Sequence, residues 1–161
     1  MTSPAIPIAV LFLHNLFTAV WIGGLITLGV VILPVTSKTL GRGPKTKELI
    51  DKIQNRLSVF VYVSMFGLAG TGMLLANRAS QFEGLFSFAN GYSTVLAIKH
   101  IGVILMVIIA LSRRFVIKQR GDKLQPRLRK AGLGLLYANV FLGIVVLLLS
   151  AMSVVLASQV P

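Results

Sequence analysis

The sequence predicts an all-α integral membrane protein, an antiparallel four-helix bundle with both termini on the outer side. Three observations carry this expectation. The 161-residue chain is 55% hydrophobic and only 12% charged, with a mean hydropathy of +0.86, and a soluble domain of this size would need far more charge to cover its surface. The apolar residues gather into four runs at about 8–33, 57–76, 94–112 and 132–156, near or above the roughly 20 residues that a spanning helix needs. The basic residues collect between alternate runs instead of spreading evenly. The whole chain, 1–161, therefore predicts a single transmembrane domain.

The first run, Ile8 to Leu33, holds no charged residue and can span with tilt to spare. No basic residue precedes it and it exceeds the length of a signal core, so a cleaved signal peptide is not expected. Pro4 and Pro7 suit the approach to a helix start, and Pro34 with Thr36 and Ser37 suits its end. Residues Thr36 to Asn55 are expected to form a basic loop with room for a short surface helix.

The second run carries Ser64, Gly67, Gly70, Thr71 and Gly72. Small residues let helix backbones approach closely in membranes, so this stripe predicts a packing face. The segment from Gln81 to Tyr92 brings Phe82, Phe86, Phe88 and Tyr92 to expected headgroup depth. The third run ends at Arg113 and Arg114, which can snorkel into the interface. In the fourth, Asn139, Gly143, Val146, Ser150 and Ser153 recur at helical spacing and define the expected inward side, with Met152 on the opposite one.

Charge sets the expected orientation. Lys38, Arg42, Lys45, Lys47, Lys52 and Arg56 lie in segment 34–56, offset by Glu48 and Asp51. Arg113, Arg114, Lys118, Arg120, Lys123, Arg127, Arg129 and Lys130 lie in segment 113–131, offset by Asp122. The segment between the second and third runs has Arg78 and Glu83 and is neutral. The positive-inside rule puts both basic segments in the cytoplasm of a multi-pass cell-membrane protein. The net charge of +12 then points to anionic lipid headgroups and not to nucleic acid.

The absence of cysteine excludes disulfides, thiolate metal sites, iron-sulfur clusters and cysteine nucleophiles. No paired membrane carboxylates, phosphate-binding glycine loop or serine elbow is present, so any catalysis is expected to be redox chemistry on a bound cofactor.

The two histidines are the polar groups that need explaining. An ionisable group at bilayer depth is costly and marks a candidate site. His14 lies six residues past Ile8 and His100 seven past Ser93, which at about 1.5 Å per residue puts both roughly 10 Å below the outer boundary. Thr18, Trp21 and Leu25 share the face of His14. Two imidazoles at one depth can ligate haem iron from both sides or form part of a copper site. The competing reading is a pair of buried histidines hydrogen-bonded to backbone or to each other. Lys99 has no acidic residue within the runs to pair with, so it must snorkel, bind an anion or titrate. Pointing inward, it would repel Cu⁺ and suit a haem propionate. Met73 lies at a depth where its thioether could serve Cu(I), although packing is the commoner role of methionine.

His14 with Trp21, Ile22, Gly23 and Gly24, then Gly70, Thr71 and Gly72, then Lys99 with Arg113 and Arg114, together resemble the copper-resistance D family of membrane proteins. The resemblance spans nearly the whole chain and implies copper handling at or across the membrane, with His14, Trp21 to Gly24 and Lys99 as its marks. Asn139 stands where an acidic residue would be sought, which departs from that pattern. A more distant resemblance is to the haem-binding four-helix protoporphyrinogen oxidases, which pair a first-helix histidine with a third-helix lysine. Three functions follow as expectations. One is copper binding by His14 and His100 with Met73. The second is a haem b redox protein with axial His14 and His100. The third is an accessory subunit of a larger membrane complex.

Overall fold

The computed structural model describes residues 5–41, 43–78, 82–119 and 126–158, among which there is no strand. Four helices among the described residues are long and apolar enough to cross a membrane: Ala5–Thr39, Pro44–Ala76, Gly91–Phe115 and Lys130–Ser158. The protein is thus all-helical and fits an integral, multi-pass membrane protein. It divides into two compact units, Met1–Arg78 and Ala79–Pro161.

In the first unit, α1 (Ala5–Ile26) continues through a π-helical stretch, Thr27–Ile32, into α2 (Leu33–Thr39). Pro34 therefore does not end the helix, contrary to the sequence expectation. The Leu33 N–H bonds to the Leu28 carbonyl, five residues back. This widened turn eases the conflict between a proline ring and the preceding turn, and lets the helix pass Pro34. Beyond α2, the Leu40 N–H reaches the Thr36 carbonyl at 3.0 Å. Gly41 then adopts φ +68°, a left-handed conformation that glycine takes without a Cβ penalty.

Helix α3 (Pro44–Ala76) starts 13 residues before the apolar run that marks it. Pro44 supplies the fixed φ that suits a first helical position. Most of the expected loop Thr36 to Asn55 is instead the ends of two helices. Apolarity marks where lipid begins, whereas Lys45, Lys47, Glu48 and Lys52 are good helix formers that carry the helix on outside it. Glu48 and Lys52 pair at 2.7 Å one turn apart on the exposed side, while Thr46 and Ile50 are buried on the other. Thr46 Oγ1 also donates to the Leu40 carbonyl at 3.2 Å, fastening the turn. With 33 residues, α3 is about 50 Å long at 1.5 Å per residue, well beyond a bilayer's hydrocarbon core.

Helices α1 and α3 pack together, and the small residues of α3 supply the face. The Phe17 ring lies over Gly67, and the His14 ring lies over Gly72. Positions descend in α1 as they ascend in α3, so the pair is antiparallel. Ser64 and Thr71 are buried on this side. Gly70 is exposed with open space where a side chain would stand, so it falls outside the packing face.

In the second unit, α4 (Gly91–Gln119) packs on α5 (Pro126–Ser158). Asn90 caps α4, its Oδ1 accepting the Ser93 N–H at 2.7 Å. Gly102 approaches Val146, about equally far along each helix from the 120–125 connection, which is the geometry of an antiparallel hairpin. The expected inward stripe of α5 is buried at Asn139, Gly143, Val146 and Ser153, joined by Leu136 and Val140, with Ser150 partly buried and Met152 exposed. Both helices run past the apolar limits of 112 and 132 into the basic segment. Arg114 is exposed, but Arg113 Nε is buried without a hydrogen-bond partner among the described residues. Pro4, Arg42, Gln81, Arg120, Asp122 and Lys123 lie outside the described residues.

Candidate functional site

The helix register of α1 puts His14, Thr18, Trp21 and Leu25 on one side, four, three and four residues apart. Trp21 and Leu25 are buried, and His14 and Thr18 are partly so. Thr18 Oγ1 donates to the His14 carbonyl at 2.8 Å, a bond within the helix. The imidazole reaches across to α3, where His14 Nδ1 lies 3.0 Å from Thr71 Oγ1. Thr71 Oγ1 in turn donates to the Gly67 carbonyl at 2.6 Å. A methyl group on Gly72 would stand 3.4 Å from His14 Cε1, an ordinary contact, so the ring edge packs directly against this turn of α3. The result is a polar junction, His14–Thr71–Gly67, inside two membrane-length helices.

Trp21 is 2% exposed, and its Nε1 has no hydrogen-bond partner among the described residues. A buried N–H in that state lacks the compensation that such groups usually find. Met73 is exposed, while Thr71 and Gly72 meet His14.

His100 belongs to the second unit. Its Nδ1 lies 2.7 Å from the Leu96 carbonyl, one turn back in α4. A carbonyl only accepts, so Nδ1 carries the proton and the neutral ring has its lone pair on Nε2. The Phe86 ring stands edge-on to the imidazole, with centroids 6.5 Å apart and planes at 63°. Lys99 beside it is partly buried and makes no ion pair among the described residues.

Thr71 is the partner that sequence reasoning missed. In the sequence it reads as one of the small packing residues, although its hydroxyl signals that a polar group of α1 can find a match there. The contact of Phe86 with His100 had no sequence signal, because the segment before α4 has no periodicity. The described residues contain no group of three or more histidine, cysteine, aspartate or glutamate side chains placed to hold a metal ion. No family model, no curated protein and no solved structure matches this chain.

Proposed function

We propose that this protein handles copper at or across the cell membrane, with His14 as the ligand on which the site is built. The observation that carries it is the anchoring of His14. Metal-ligating histidines nearly always engage their other ring nitrogen with a carboxylate, carbonyl or water, which orients the ring. His14 Nδ1 is engaged by Thr71 Oγ1 and His100 Nδ1 by the Leu96 carbonyl, so each would meet a metal through Nε2. Met73 is proposed as a soft thioether donor for Cu(I). The basic segments 34–56 and 113–131 lie in the cytoplasm against anionic headgroups in this proposal, with both termini outside.

A second proposal, a b-type haem protein, is favoured by Lys99. A cation with no ion pair among the described residues, next to a histidine, suits a haem propionate. His14, with Trp21 Nε1 as a donor on the same helix face, and His100 would then be the candidate haem ligands. Purification with copper and haem available, followed by absorption spectra and metal analysis, separates these. Copper lost on His14→Ala without any haem band supports the first. A reduced haem band lost in either histidine variant supports the second. Neither copper nor haem would leave a structural subunit of a larger membrane complex.

A further inference from the structure

We propose that Thr71 is the positioning residue of the His14 site, fixing which ring nitrogen holds the proton. The bond between His14 Nδ1 and Thr71 Oγ1, at 3.0 Å, can run in either direction on distance alone. The second bond of Thr71 decides it. Gly67 offers a carbonyl, which only accepts, and Thr71 Oγ1 lies 2.6 Å from it. The hydroxyl has one proton, and that proton goes to Gly67. Oγ1 then faces the imidazole as an acceptor, so Nδ1 must carry the hydrogen. With Nδ1 bare, two acceptors would compete for one proton, and one hydrogen bond would be lost in a site where Thr71 is buried. Thr71 therefore holds the neutral ring in the Nδ1–H tautomer and puts the lone pair on Nε2.

The position of Thr71 follows from the fold. Helix geometry stacks Thr71 over Gly67 one turn back. Gly72, the next residue, lies in contact with the ring edge of His14. Valine at 71 would keep the shape and remove both bonds. Serine would keep both bonds and remove only a methyl group. The tautomer assignment is independent of any metal, whereas its consequence for metal affinity rests on the function proposed above.

The test is nitrogen NMR on metal-free protein labelled with ¹⁵N-histidine, at a pH where both imidazoles are neutral. Only two histidines are present, so His14→Ala assigns the signals, and His100, held by the Leu96 carbonyl, serves as internal reference. The expected result is a protonated Nδ1 and bare Nε2 for His14 in the wild type and in Thr71→Ser. Thr71→Val should shift His14 toward Nε2–H, with His100 unchanged. A wild-type His14 carrying its proton on Nε2 overturns the proposal. So does an unchanged tautomer in Thr71→Val, or in Thr71→Ala if the valine variant does not fold. A parallel Cu(I) titration should show affinity falling about 10- to 100-fold in Thr71→Val and recovering in Thr71→Ser. A wild type that binds no Cu(I) and no haem, yet shows the expected tautomer, would refute the metal function and leave the role of Thr71 standing.

Discussion

Replacing Gly67 by alanine tests how closely α1 and α3 approach. The new methyl group would overlap the Phe17 ring at Cδ2, Cε2 and Cζ. Phe17 must therefore move or the helices must part. Such overpacking costs about 1–3 kcal/mol, against which alanine recovers about 1 kcal/mol of helix propensity over glycine. The net expectation is a loss of up to about 2 kcal/mol. The same substitution at Gly70, three residues on, meets open space and should be neutral or stabilising. Midpoints of denaturation in a fixed detergent, followed by circular dichroism, give both values. In a Phe17→Ala background Gly67→Ala should become neutral or stabilising, a coupling of about 1–3 kcal/mol. Equal effects at Gly67 and Gly70, or a Gly67 penalty that persists without the Phe17 ring, would refute this packing.

Three further outcomes follow from the same geometry. A methyl on Gly102 would stand 3.1 Å from Val146 Cγ2, a tight contact that offsets the ~1 kcal/mol of helix propensity alanine gains over glycine, so Gly102→Ala should change stability by less than about 1 kcal/mol and become clearly stabilising in a Val146→Ala background. Asn139 is 2% exposed with Oδ1 lacking a hydrogen-bond partner among the described residues, so Asn139→Leu should hold or raise stability by about 1–3 kcal/mol; a clear fall in midpoint would mean that the amide has a partner. Trp21 is the sole tryptophan and is 2% exposed, so emission should be blue-shifted and resist aqueous quenchers, and red-shifted, quenchable emission would contradict its burial.

Composition alone was enough to indicate four membrane-length helices, because lipid demands long apolar runs and satisfied backbone groups. The α5 stripe was legible for the same reason: Asn139, Gly143, Val146 and Ser153 are small or polar at helical spacing, and lipid leaves them only the helix contact. The helix ends were not legible. Hydropathy is silent about helix that continues into water, which is why α3 begins at Pro44 and not near 57. Pro34 misled because the π-helical turn that carries the helix past it has no sequence signature. At the site, the face shared by His14, Thr18, Trp21 and Leu25 followed from helical spacing. Which residue of α3 meets His14 did not, since it depends on how far the helices slide past one another. That is set by Phe17 seating over Gly67, one helical turn from Thr71.

The most direct measurement is the copper and haem content of detergent-purified protein expressed with both supplied, with oxidised and reduced absorption spectra on the same sample. The wild type should carry copper, and His14→Ala should lose it while keeping its helix content and elution volume. His14→Ala that retains the full wild-type complement, or a wild type that takes up neither copper nor haem, would contradict a metal site at His14.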